Sequence, residues 1–594
     1  MRLVHTVMIS TLLAGTLFAA VHPAEEKPQD PWKDFSRVHE TQPVPEDRRC
    51  GLESIRREEA GAILKFLSSD LLNGRETATP GHDIAAEFAA TLFSIWGIRP
   101  AGDPLAAKPG GMFDPTPAAP SAGRSYFQEI EFKETLSSEG ELVVVLQRGK
   151  HRETRTFFPD VDYTFLARKN QSISAPVVFA GYGLQEDSLK LDEYRGLDVR
   201  GKIVMLITGT PGKGNPESPF SQGRLKEKYH PARPSRHRLS PKVKLARDKG
   251  ALAVLLVERD PQADGDVAKK VLDSREVDDE KPIVSRERRK LSPIESGESM
   301  PWEALPYVRI SRELADEILG FDNMSVQTVI EAMETRLVPR SKELSGISVT
   351  LNHRAKTQLV RSRNVLGFIE GSDPSLKNEV VVIGAHLDHL GRKGDYIFNG
   401  ADDNGSGSVA VLEVAEAFAR NPRKPKRSIL FALWTGEEVG LLGSRHYVSH
   451  PTFPLKKTVA CLNLDMVSRK WETSRLKMIN KAWRLGIPEK AIDEIDTDDL
   501  LTLSLDAGSE AVLKAVTESN QYLGTTIYIR RSESKMWGTD HAPFARADIP
   551  WIFFFAATTD DYHEPSDSFA KVSLDLIEKV SRLTYLSAFH LADR

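Results

Sequence analysis

Cysteine is nearly missing from this chain of 594 residues: only Cys50 and Cys461 occur. With so few, there is no disulfide scaffold to expect, and the fold must rest on buried apolar surface. Charge of one sign is not in excess either. Lys and Arg number 80 against 84 Asp and Glu, for a formal net charge of -4, which gives no reason to expect nucleic acid or a membrane surface as partner. Past the first 24 residues no stretch is long and apolar enough to span a bilayer. The glycines of GTPGKGN lack the spacing of a phosphate-binding loop and read as a turn.

What is present suggests two globular units, one carried as an insert in the other, since the chain is too long for one simple core. Residues 1–24 place Arg2 before TVMISTLLAGTLFAAV and turn polar at EEKPQD, the pattern of a secretory signal peptide. Export to the periplasm or medium is therefore expected, with retention by an uncleaved leader as the alternative. Residues 25–50, rich in Pro and charge, read as an exposed lead-in. Helical periodicity follows in ESIRREEAGAILKFLSSDLL and HDIAAEFAATLFSIWG. From about 171 to 340 short apolar strands such as APVVFAGYGL, GKIVMLITG and ALAVLLVE alternate with long polar connections, a β-rich unit. Within it the run RERRK, balanced by nearby EVDDEK, reads as solvated surface.

From 346 onward strands and helices alternate regularly: EVVVIGAHL before SGSVAVLEVAEAFAR, RSILFALWT before GLLGSRHYV, then TVACLNLDM, and PWIFFFAAT before the terminal helix. Strands apolar over nearly their whole length predict an α/β fold, a mostly parallel central sheet covered by helices on both faces. His386, Glu437 with Glu438, Asp465 and the run DYHEPSDS all fall at or just past the C-terminal ends of predicted strands, the edge where such sheets bind ligands. Singly each has a structural explanation: a hydrogen-bonded histidine, a helix-starting acidic pair, an Asp-Asn-Gly turn. Together they form the residue set of a two-zinc site. Imidazole and carboxylate suit zinc, and two zincs need one bridging carboxylate with two further ligands each. His386, Asp402, Glu438, Asp465 and His563 supply five, and Glu437 supplies a general base.

The ordered runs GAHLDH, GADDNGSG, TGEEVGLLGS, NLDM, GTDHAPF and DYHEPSD resemble the zinc aminopeptidases of the secreted bacterial leucine aminopeptidase type. That family also holds glutamate carboxypeptidases, glutaminyl cyclases and the catalytically silent transferrin receptors. The resemblance covers 346–594 and extends to 53–135. Residues 171–340 are similar in texture to the protease-associated domain many members carry as an insert, so the peptidase unit would comprise 51–170 and 341–594. The resemblance implies Asp402 as bridge, Glu438 and His563 completing one zinc, and His386 and Asp465 the other. It implies Glu437 as base and acid, Tyr562 as donor to the developing oxyanion, and a cis peptide bond between Asp402 and Asp403. Asp388 is placed to accept the second N–H of His386, with Asp403, Asp540 and His541 expected around the ligands without touching metal.

The implied reaction is metal-assisted hydrolysis of a peptide with a free N-terminus. A carboxypeptidase or a cyclase on the same scaffold remains open, because the loops that choose between them carry no readable motif. A receptor-like member is disfavoured by the complete set of ligands and base. The sequence gives no oligomeric state.

Overall fold

The computed structural model describes residues 34–38, 40–105, 123–157, 162–165, 170–212, 215–230, 240–259, 289–294, 305–483, 487–533 and 538–594. The proposed leader lies outside them. Among the described residues no helix is long and apolar enough to cross a membrane. Cys50 and Cys461 are both free, the second buried.

The sheet that positions the site is built from strands whose two faces are both apolar. Val380–His386 lies between Ser428–Trp434 and Thr458–Leu464, parallel to each, and Trp551–Phe555 continues the parallel order beyond Thr458–Leu464. Leu500–Asp506 and the parallel strand Thr526–Ser532 extend it, and Phe35–Ser36 closes that edge antiparallel to Tyr528 and Ile527. Part of the expected exposed lead-in is thus a sheet edge. Alternation sorts the side chains: Val381, Ile383, Ile429, Phe431 and Leu462 face one core, and Val380, Val382, Leu430, Ala432 and Cys461 face the other.

The first face is covered by the helices Gly407–Arg420, Leu574–Asp593, Arg57–Leu67 and Pro80–Ile95, and the second by Leu442–Ser449 and His541–Arg546. The first predicted helix is two, Glu46–Ser54 and Arg57–Leu67, because Ile55 and Arg56 take extended backbone between them.

A second apolar core is built from residues between Leu142 and Leu351. Its strands Gln171–Phe179, Ile203–Ile207, Ala253–Val257 and Tyr307–Ile310, parallel where they pair, pack with Leu142, Val144, Val349 and Leu351. The last four lie on two very long antiparallel strands, Phe127–Arg148 and Lys342–Ile369, which run from this core into the sheet that positions the site, where Val365–Ile369 pairs with Leu433–Ile429. The two cores share these strands. The sequence hides this, because the ribbon's polar outer residues break the apolar runs that mark a buried strand.

Candidate metal centre

The acidic and imidazole groups around the centre reach the site from strand ends and the loops that follow them. His386 is the last residue of its strand, Glu437 and Glu438 follow the Ser428–Trp434 strand by a short turn, and Asp465 follows Thr458–Leu464. His563 comes from the loop after Trp551–Phe555 and stands at φ 58°, a left-handed conformation. The centre of the cluster is Asp403. Its Oδ1 lies 3.3 Å from His386 Nε2, which is also 3.4 Å from Asp465 Oδ1, and its Oδ2 lies 2.9 Å from His563 Nε2, itself 3.2 Å from Glu438 Oε1. One buried carboxylate therefore stands between two histidine–carboxylate pairs.

That position belongs to Asp403, and the expectation for Asp402 is corrected by one residue. The Asp402 carboxylate accepts from Ser468 N at 3.0 Å and Ser468 Oγ at 2.7 Å, away from the imidazoles. Neighbouring side chains on near-extended backbone point to opposite sides, and Asp403 has φ -103° and ψ 97°. Only one member of the Asp-Asp pair can face the histidines. The cis peptide bond shifts likewise and joins Asp403 to Asn404. Burial, with the nearby anion of Asp567, pushes the Asp402 pKa up to about 8, whereas Asp403, although buried, is held well below the ordinary range by His386 and His563.

The cluster pulls strongly on positive charge. Burial opposes protonation of His563, but Glu438 and Asp403 outweigh it and raise its pKa to about 10. The same contest at His386 is won by Asp465 and Glu437. Buried carboxylates converging with imidazoles form a donor set of hard oxygen and nitrogen, suited to a divalent cation that would displace those protons. The residues present therefore fit the metal that the sequence implied.

Asp388 does something other than expected. The His386 Nδ1 donates to its main-chain oxygen at 3.0 Å, while the carboxylate stands 3.9 Å away and accepts instead from Glu437 N at 3.1 Å and Thr77 Oγ1 at 2.8 Å. Asp388 thus ties the turn carrying Glu437 to the strand end carrying His386. Glu437 is partly exposed, and burial together with Glu438, Asp540 and Asp465 raises its pKa well above normal against the pull of His386. Asp540 accepts from Ser444 Oγ at 2.5 Å, and its pKa is pushed to about 7, first by burial. His541 is stacked on Trp551 and Phe553, part of the packing beneath the strand end. Tyr562 stacks on the His563 ring at 3.8 Å and is 45% exposed.

Sequence reasoning missed the buried groups that shape the loops. Arg75, 1% exposed, donates to the main-chain oxygens of Leu387 at 2.9 Å, Asn399 at 2.7 Å and Gly400 at 3.0 Å, and also to Leu67. One guanidinium thus joins the segment after His386 to the segment before Asp403. Asp567 accepts from the main-chain N–H of Asp402 and Asp403 and from Arg469 Nη2 at 2.8 Å. A buried Arg with no carboxylate partner leaves no trace in a sequence pattern. Arg289 corrects the reading of RERRK as solvated: its guanidinium binds Glu134 and the oxygens of Thr77 and Ala78 at 2.7 and 2.9 Å, while residues 286–288 lie outside the described residues. Arg75→Met keeps the bulk and strands several buried carbonyls, each costing about 1–3 kcal/mol. A loss of about 3 kcal/mol or more in denaturant-measured stability is expected, with weakened metal retention in the protein that still folds.

Comparison with known proteins finds a match over the segment that carries this site. Residues 364–587, which contain every group in the cluster, match Peptidase family M28. The match covers less than half of the chain. The M28 segment is similar to curated relatives over part of their length. Leupeptin-inactivating enzyme 1 of Streptomyces exfoliatus is 30% identical over 188 residues, 32% of this chain and 34% of that protein. Leucine aminopeptidase 2 of Trichophyton equinum is 33% identical over 175 residues, 29% of this chain and 33% of that protein. The chain thus spans about a third of the length of these relatives. Among solved structures, the aminopeptidase from Aneurinibacillus sp. strain AM-1 is 17% identical, with a TM-score of 0.47 over 92% of this chain and 96% of that one.

Proposed function

We propose that this protein is a zinc-dependent exopeptidase that releases N-terminal residues from peptides. The observation that carries the reading is the Asp403 carboxylate standing between His386 with Asp465 and His563 with Glu438. These five residues would hold two zinc ions sharing Asp403. When bound, the metal supplies positive charge that acidifies water and polarises a carbonyl.

The chain's own residues do the rest. Glu437, its carboxyl kept basic by burial and neighbouring anions, takes a proton from the attacking water and returns it to the leaving amine. Asp388 holds the Glu437 main chain in place during both transfers. Tyr562 donates its O–H to the carbonyl oxygen as negative charge develops there. The β-rich insert, read as a protease-associated domain, borders the site through Arg289, which grips Thr77, the hydrogen-bond partner of Asp388. Export, the expectation from residues 1–24, is part of the same proposal.

A free α-amine must find acceptors beside the metals, because a buried amine without a partner is costly. N-acetylated peptides are therefore expected to be cleaved far more slowly than free ones, while amidation of the C-terminus changes little. Product analysis on a panel of free, N-blocked and C-blocked short peptides checks this. A requirement for a free C-terminal carboxylate with tolerance of N-acetylation would establish a carboxypeptidase instead, and release of ammonia from N-terminal Gln without cleavage would establish a cyclase.

A further inference from the structure

His389 is the second histidine of the run HLDH, and nothing above gives it a task. His389 is 1% exposed, and neither ring nitrogen has a hydrogen bond of good geometry. A buried imidazole normally satisfies at least one nitrogen. Its Nδ1 lies 3.0 Å from Glu438 Oε1 and 4.0 Å from Asp403 Oδ2. These are the same two oxygens that His563 Nε2 approaches, at 3.2 and 2.9 Å, and the two rings are 5.8 Å apart at their centres. One ring nitrogen of His389 stands with a carboxylate oxygen of Asp403 and one of Glu438, all within 4.8 Å of one another, close enough together to hold one ion.

The ring is also held in place from behind. His389 N donates to Arg75 O at 3.2 Å, and a Cβ on Gly400 would come within 2.5 Å of His389 Cγ and Cδ2. Gly400 is glycine where this ring needs the space, and its own carbonyl is fixed by Arg75.

We infer that His389 is a metal ligand, through Nδ1, at the site formed by Asp403, Glu438 and His563. This rests on the proposed metal-dependent reading. The two ions would then differ in surroundings: one has four protein donors, as closed zinc sites do, and the other has three, His386, Asp465 and Asp403, and keeps the open position a reaction requires.

X-ray absorption at the zinc edge of the zinc-loaded full chain, with zinc titration of wild type and His389→Ala, tests this. Wild type is expected to show three imidazoles shared by two zincs, and His389→Ala two, with the dissociation constant of one zinc raised more than about 100-fold. That exceeds the roughly 10- to 100-fold caused by losing a group that only orients a ligand. Two imidazoles in wild type, or an unchanged count in the variant with a smaller affinity loss, overturns the assignment. The wild-type measurement needs no variant to fold. A full chain that takes up no zinc at all would instead sink the metal-dependent reading itself.

Discussion

Glu437→Gln is expected to lower kcat by about 100-fold or more while leaving metal content unchanged. Glutamine keeps the shape of the side chain and removes its capacity to accept a proton. The residue is held by its main chain, where Asp388 accepts from Glu437 N. Glu438→Gln should behave oppositely and release metal, since that carboxylate touches His563 and lies opposite Asp403. Steady-state kinetics with metal analysis of both variants separates the roles. Equal metal loss in the two would show that base and ligand have been assigned to the wrong members of the pair.

The second large effect divides the aspartates 402 and 403. Asp403→Asn removes charge between both histidine–carboxylate pairs and is expected to empty both metal positions and abolish activity. Asp402→Asn should spare the metals at saturating zinc, because its carboxylate is engaged with Ser468. Its cost should be one of stability, from disturbing the buried contacts with Ser468 and Arg469. Zinc content of the two purified variants decides the matter. Retention of both zincs in Asp403→Asn would remove the bridge from this account.

The pattern of these groups explains what the sequence could reveal. The central strands were legible because residues such as Val380 to Ala385 are apolar on both faces, and their ends were legible because a polar residue of metal-binding type interrupts each run. Residue types and approximate positions followed from that. The choice between Asp402 and Asp403 did not, since adjacent identical residues differ only in the local backbone that turns one inward. His389 was passed over for a similar reason: the spacing His-Leu-Asp-His reads equally well as one functional histidine and one packed histidine. Arg75 and Asp567 act on main-chain groups far away in sequence, and no periodicity or spacing encodes such contacts. The shared ribbon of Phe127–Arg148 and Lys342–Ile369 stayed hidden because long-range pairing, not local composition, makes it a continuous sheet.

The most direct test of the central claim is anomalous diffraction at the zinc edge from crystals of the zinc-loaded protein. The account predicts two peaks flanking the Asp403 carboxylate, one beside His386 and Asp465 and the other beside Glu438 and His563. Peaks at the Asp402 carboxylate, or an active protein with no metal near Asp403, would contradict it.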